Sequence, residues 1–276
     1  MDNDQDKIEE AAHWVKHARA LLVTAGAGMG VDSGLPDFRG PEGFWRAYPA
    51  LGAAGLNFQD IASPHAFAAR PALAWGFYGH RLALYRRTRP HAGFEILRRW
   101  AEGMPEGYRV FTSNVDGHFQ RAGFAPETVH ECHGSIHVLQ CLEPCCERIW
   151  SADGFTPEID EANCLLLNEP PKCPYCAGMA RPNILMFDDY AWVDPPTAES
   201  RARLDAWIGA RNDILVIEVG AGTEIPTARR FGERQATQLI RINARQAGVR
   251  GGKHNMGLAG AALDTLVAIE EVASRL

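Results

Sequence analysis

Two pairs of closely spaced cysteines are the first feature with definite chemistry. Three residues separate Cys141 from Cys145 and two separate Cys173 from Cys176, with Pro174 and Tyr175 inside the second pair. Tetrahedral zinc takes four thiolates, and two short loops that each present a pair supply them without distorting the backbone. Cys146 offers an equivalent thiol, so the second ligand is Cys145 or Cys146, with Cys145 preferred. Four thiolates leave no open coordination position. Such a zinc would hold a small module together and do no chemistry. The competing reading is a set of reduced cysteines packed in a core. Cys132 and Cys164 stand apart as packed or free thiols.

A glycine loop is the second feature. Gly26-Ala27-Gly28-Met29-Gly30 follows Leu21-Leu22-Val23-Thr24, which reads as a short buried strand. Glycines after a strand let backbone N–H groups approach a phosphate closely. Val31 stands where the third glycine of the dinucleotide G-x-G-x-x-G fingerprint would be, which disfavours a dehydrogenase. The loop runs on through Ser33-Gly34-Leu35-Pro36-Asp37-Phe38-Arg39-Gly40, a string that no helix cap explains.

Strands and helices must position these groups. Ile8, Ala11, Val15 and Ala18 recur at helical spacing and predict an opening amphipathic helix. Val110-Phe111-Thr112, Ile214 to Val219 and Leu239 to Ile242 read as buried strands, each closed by a polar or glycine-rich turn. Helical patterns lie around Ala92 to Ala101 and Leu258 to Val272. Strands alternating with helices predict an α/β fold with a parallel sheet covered on both faces. In such sheets ligands bind at the C-terminal edge of the strands. Two stretches break the rhythm: residues 43–90, which are helical with no clear strand, and residues 138–180, which hold most of the cysteines.

Composition sets the outer bounds. The chain has 276 residues, 46% hydrophobic and 22% charged, which is long and apolar enough for a core without disulfides. Seven cysteines is an odd count, and the polar start reads as no secretory signal, so the default address is the cytoplasm. No apolar run approaches the ~20 residues that span a bilayer. A formal net charge of −6 argues against a broad nucleic-acid binder. Arg241, Arg245, Arg250 and Lys253 form a local basic run that keeps a zinc-ribbon nucleic-acid module as a distant alternative.

Several motifs then fall in a telling order. Gly26-Ala27-Gly28 and Ser33 to Arg39 are followed by Thr112-Ser113-Asn114-Val115-Asp116-Gly117 and Ala122-Gly123. Next come His133-Gly134-Ser135, then Arg181-Pro182-Asn183-Ile184-Leu185-Met186-Phe187, then Gly220 to Pro226 and Asn243. On these residues the chain resembles the sirtuin family over roughly residues 8–275. The resemblance implies removal of acyl groups from protein lysine side chains with NAD, giving nicotinamide, O-acyl-ADP-ribose and free lysine. His133 matches the family's catalytic base, which takes a proton from a ribose hydroxyl, a task suited to a near-neutral pKa. Asn114 matches the residue near the nicotinamide ribose, and Asp116 the one that hydrogen-bonds the carboxamide. Gly26, Ala27, Gly28, Asp37, Phe38, Arg39 and Ser113 match the NAD loops around the reacting end. Phe38 would cover the ribose and exclude water, and Arg39 would meet phosphate or order its loop. Gly220, Gly222, Thr223 and Asn243 match the adenosine loops. Ile184 and Phe187 lie in the strand expected to pair with an extended peptide by β-augmentation. The cysteine cluster matches the position of the family's structural zinc.

Three positions depart from the family pattern. Ser113 replaces a glutamine that reaches the ribose, Gly30 replaces a serine, and Asp188 replaces a glycine. Tyr78 and Arg81 share a helix face and resemble the Tyr-x-x-Arg motif of class III sirtuins, which prefer malonyl-, succinyl- and glutaryl-lysine. A guanidinium can pair with the distal carboxylate of such an acyl chain. Deacetylation alone is the alternative, and mono-ADP-ribosyl transfer or NAD hydrolysis is kept open by Ser113. The expected organisation is a Rossmann-like NAD domain of residues 1–42, 91–137 and 181–276. A smaller domain would combine the helical insertion 43–90 with a zinc ribbon over 138–180. NAD and zinc are the expected cofactors, and acyl-lysine proteins or peptides the partners, with no membrane and no specific nucleic acid.

Overall fold

The computed structural model describes residues 2–36, 40–250, 252 and 254–276. Along the chain come α1 (Asp2–His17), β1 (Leu21–Ala25), α2 (Gly40–Ala47), α3 (Pro49–Ala53), α4 (Phe58–Ile61), α5 (Pro64–Ala69), α6 (Pro71–Arg87) and α7 (Ala92–Glu102). Then follow β2 (Tyr108–Thr112), α8 (His118–Arg121), β3 (Val129–Glu131), β4 (Gly134–Cys141), β5 (Ile149–Ser151), β6 (Ile159–Asp160), β7 (Leu165–Leu166) and β8 (Ala180–Ile184). The chain closes with α9 (Pro195–Gly209), β9 (Leu215–Val219), α10 (Thr227–Gln235), β10 (Gln238–Ile242), β11 (Asn255–Leu258) and α11 (Ala262–Ala273).

The larger sheet is parallel in the order β11-β10-β9-β1-β2-β3. Its central strands read as unbroken apolar runs because both faces are buried. Leu21, Val23 and Ala25 point into a core shared with Trp14, Leu97, Leu266 and Ile269 of α1, α7 and α11. Leu22 and Val216 point the other way, onto Leu204, Trp207 and Phe231 of α9 and α10. Each such Leu, Ile, Val or Phe side chain contributes about 1.5–3 kcal/mol by leaving water. The strand order reverses between β1 and β9, which makes the crevice beyond their C-terminal ends the topological switch point.

A second sheet is antiparallel, in the order β5-β4-β8, with a register shift between Ser135 and Leu139. It shares an apolar core with α2 to α6: Phe44, Phe67, Trp75, Phe77 and Leu82 pack with Ile136, Leu139, Ala180 and Ile184. The Trp75 indole N–H donates to the Ala180 carbonyl at 3.0 Å, fixing α6 against β8.

Three local expectations change. The helical pattern from Leu258 begins only at Ala262, because Asn255 to Leu258 pair with β10 as an edge strand. The short strand β3 carries His130 and Glu131 and gives no apolar run, yet β2 offers it an open edge. The basic run also dissolves: Arg241 is 1% exposed and ion-paired within the fold, and Lys253 lies outside the described residues. Among the described residues no helix is long and apolar enough to cross a membrane.

Candidate active site

The loops that leave β1 and β9 at the switch point are packed backbone to backbone. Gly220 has φ 64°, and a Cβ there would lie 2.3 Å from Gly28 C and Met29 N. A Cβ on Gly26 would lie 2.8 Å from Ala221 Cα. The Gly26 amide donates to the Val219 carbonyl at 3.1 Å and the Gly28 amide to the Gly220 carbonyl at 3.0 Å. Glycine is therefore required here for loop-to-loop contact, and the amides of Gly26, Gly28, Met29 and Gly30 are used internally. The amides of Ala27, Ala221 and Gly222, in contrast, meet no backbone acceptor among the described residues. Ala27 begins the short 3₁₀ turn of this loop.

The turn after β2 locks onto the same place. The Asn114 side-chain amide donates to the Gly26 carbonyl at 3.0 Å, and its backbone N–H donates to Thr112 Oγ1. Ser113 points inward: its amide and hydroxyl both donate to the Ala25 carbonyl, at 3.1 and 3.4 Å. The hydroxyl thus serves the strand end instead of reaching outward as a glutamine would. Asp116 is buried and accepts from the His118 amide at 2.9 Å. Its own carbonyl meets His137 Nε2 at 2.9 Å.

His133 follows β3 and is held against this turn from both sides. The Cys132 amide donates to the Thr112 carbonyl at 2.9 Å and the Ile136 amide to the Val115 carbonyl at 3.0 Å. Burial lowers the His133 pKa below the ordinary histidine value, and a hydrogen bond to the Ser113 backbone opposes that shift. The imidazole is thereby favoured in its neutral form, with one ring nitrogen engaged by Ser113. Two residues upstream, the Glu131 carboxyl is pushed up to about 8, first by burial and then by the charge of Asp116. His130 is held neutral by burial, its pKa driven down to about 4, and its Nδ1 meets Ser200 Oγ at 2.6 Å. It is a packed residue of the far face.

On the adenosine side, the Asn243 side chain organises both neighbouring loops. Its amide donates to the Ala221 carbonyl at 3.0 Å, and its oxygen accepts from the amides of Arg245 and Gln246. Gln246, which the sequence did not single out, accepts from the Thr223 amide and donates to the Thr223 hydroxyl. Gly222 lies between these two anchor points.

The remaining predicted residues divide. Asp37, Phe38 and Arg39 lie outside the described residues. Ile184 ends β8, and Phe187 sits beyond it, its amide on the Ala62 carbonyl and its ring against Phe58. Asp188 adopts φ 53°, the left-handed conformation a glycine would take without strain. Tyr78 is 1% exposed, stacked on Phe67, with its hydroxyl pushed up to about 12 by burial. The buried Arg81 guanidinium donates to the Tyr85 hydroxyl at 2.9 and 3.0 Å and lies 5.6 Å from the Tyr78 ring centre. Val115 shares an apolar core with Tyr78, Leu82 and Tyr85, which brings this cluster next to the Asn114 to Asp116 turn. The sequence missed Tyr85 because i+3 and i+4 neighbours are equivalent on a helix. It also missed His91, which caps α7 and meets the Met29 carbonyl at 2.9 Å.

The four sulfurs of Cys141, Cys145, Cys173 and Cys176 all lie within 4.8 Å of one another. Two of the separations are 3.6 Å (Cys141 to Cys176) and 3.7 Å (Cys145 to Cys173). Zn–S bonds of about 2.3 Å give a tetrahedral edge of about 3.8 Å, so the set fits zinc as it stands. Cys145 belongs to the cluster and Cys146 does not. The tight turn of the second pair is closed by Ala177 (φ 61°), whose amide donates to the Cys173 carbonyl.

A model of the Sir2 family matches residues 26–199, more than half of the chain. The chain belongs to the Sir2 family. This Sir2 chain is 31% identical to NAD-dependent protein deacylase 2 of Pyrobaculum aerophilum over 264 residues, covering 94% of this chain and 93% of that one. It is 32% identical to the NAD-dependent protein deacylase of Aquifex aeolicus, covering 81% and 82%. A solved Sir2 homologue–NAD complex shares the fold with a TM-score of 0.73 at 22% identity, covering 97% of this chain and 94% of that one.

Proposed function

We propose that this Sir2 chain is an NAD-dependent protein lysine deacylase that prefers acyl groups ending in a carboxylate. The observation that carries the deacylase reading is the meeting of His133 and the Asn114 turn with the paired glycine loops at the switch point. NAD suits that crevice, because the free amides of Ala221 and Gly222 are donors aimed at no protein acceptor. NAD, when bound there, would supply an electrophilic ribose carbon and nicotinamide as the leaving group.

The chain supplies orientation and proton transfer. Asn114 fixes the β2 turn to Gly26, so the groups that flank the nicotinamide end move as one unit. Neutral His133, one ring nitrogen held at Ser113, can take a proton from a ribose hydroxyl at the other. The edge of β8 opposite β4 is open to an added strand, and the chain beyond Ile184 continues that edge toward the expected peptide. Zinc, held by Cys141, Cys145, Cys173 and Cys176, would fix the loops at the end of β4 and before β8.

The acyl preference rests on Arg81, a buried cation oriented by Tyr85, whose helix packs on Val115 of the Asn114 to Asp116 turn. In a low-dielectric setting a guanidinium discriminates strongly between a neutral acyl end and a carboxylate. Acetyl- and succinyl-lysine versions of one peptide, incubated with NAD and followed by mass spectrometry, test both halves. NAD-dependent loss of succinyl faster than acetyl, reversed in Arg81→Met, supports the full reading. Faster acetyl loss removes the acyl preference, and loss of neither removes the deacylase.

A further inference from the structure

The two loops expected to hold the adenosine half of NAD are tied together from behind by a buried charge network. Arg241 of β10 faces Glu218 of β9 in register and binds it through two short contacts, Nε to Oε1 at 2.6 Å and Nη2 to Oε2 at 2.8 Å. The same guanidinium reaches Glu233 of α10 at 2.7 Å and the Gly248 carbonyl at 2.8 Å. Arg229, one turn before Glu233 on α10, stands 4.0 Å from Glu218 and 3.9 Å from Glu233. Two guanidinium and two carboxylate groups therefore balance, Glu218 and Arg241 buried and Glu233 at the surface.

Arg241 takes the short ionic contacts, so the N–H groups of Arg229 are turned elsewhere. They donate to the Gln246 carbonyl at 3.0 Å, to the Gly248 carbonyl at 3.0 Å and, at 3.5 Å, to the Ala221 carbonyl. Ala221 belongs to the loop after β9, and Gln246 and Gly248 to the loop after β10. One side chain thus spans both loops. On their other side Thr223 and Gln246 are already joined by reciprocal hydrogen bonds. Arg229 and Arg241 also line a cavity of about 390 Å³ that opens beside Thr223.

We propose that Arg229 is a positioning residue for NAD: it fixes the spacing of the β9 and β10 loops and so sets cofactor affinity without touching the reacting atoms. The proposal rests on the reading of these loops as the NAD site. A planar fork of donors is needed to satisfy carbonyls on two loops at once, which a single ammonium cannot reproduce. Lysine at this position would keep the charge balance with Glu218 and Glu233 but lose the bridge.

The test compares Arg229→Ala, Arg229→Lys and, as a control one residue on, Arg230→Ala. NAD titrations of the deacylation rate and direct calorimetric binding of ADP-ribose are run on each. Arg229→Ala is expected to raise the NAD KM and the ADP-ribose Kd about tenfold, with kcat at saturating NAD within about twofold of wild type. Arg229→Lys, which preserves the ion pairs and the fold, is expected to recover only part of that affinity, and Arg230→Ala to change neither constant. Unchanged KM and Kd in Arg229→Lys and Arg229→Ala would overturn the proposal, as would a kcat that falls while both constants hold. If wild type binds ADP-ribose but deacylates no peptide, the deacylase reading fails while the Kd series still decides the role of Arg229. If wild type binds no ADP-ribose, the loops are not the NAD site and the proposal falls with them.

Discussion

The amide of Leu185 donates to the carbonyl of His133 at 2.9 Å. The residue matched to the catalytic base and the segment matched to the peptide-binding strand are therefore joined by one backbone hydrogen bond. A peptide added beyond β8 would be registered to the base through that bond. Leu185→Pro removes the donor while leaving a residue with 38% exposure and few packing partners to lose. Its kcat/KM for an acyl peptide should fall about tenfold or more, with ADP-ribose binding unchanged. Loss of both in calorimetry and kinetics would mean that the whole crevice, not the registration, depends on Leu185.

The pH profile follows from the state of His133. Burial lowers its pKa, so the neutral, proton-accepting form persists to lower pH than for an ordinary histidine near 6.5. The deacylation rate at saturating substrates should hold on acidification through pH 6.5 and fall only below it. His133→Ala should lower the rate by about 10²–10⁴-fold. A half-maximal rate above pH 6.5 would contradict the environment described for this side chain.

The cysteine assignment separates two adjacent thiols. Cys145→Ser should remove bound zinc, measured by atomic emission on purified protein, and lower the melting temperature. Cys146→Ser should keep the metal, because Cys146 lies outside the four-sulfur cluster. Zinc loss in the second variant alone would reverse the assignment.

The glycine loops make a stability prediction. Gly220→Ala combines a left-handed φ with a Cβ 2.3 Å from backbone atoms of Gly28 and Met29. It should cost about 2–4 kcal/mol in urea unfolding, from conformational strain together with overpacking. Gly34→Ala also has positive φ, 86°, but meets nothing within 4 Å, so about 1–2 kcal/mol is expected. Equal losses would mean that loop contact adds nothing to strain.

The central strands were legible because burial on both faces writes them as apolar runs, as in Leu21 to Ala25 and Leu215 to Val219. The edge strands β3 and β11 were not, since their pairing comes from an open neighbour and not from their own composition. Cysteine spacing revealed the zinc cluster but could not choose between adjacent thiols, a matter of side-chain direction. Arg241 looked like part of a basic surface because its partner Glu218 is 23 residues away in sequence. The glycines of the β1 loop were recognisable as special, but that they also admit another loop's backbone was not, because Gly220 and Ala221 lie far away in sequence.

The most direct test of the deacylase reading is the stoichiometry of products from one NAD-dependent reaction. Nicotinamide, deacylated lysine peptide and O-acyl-ADP-ribose, quantified together by mass spectrometry, should form in equal amounts, and all three should require NAD. With His133→Ala, O-acyl-ADP-ribose and free lysine should be lost together. Nicotinamide released from the wild-type protein without matching loss of the acyl group would contradict the account and identify an NAD hydrolase or ADP-ribosyl transferase instead.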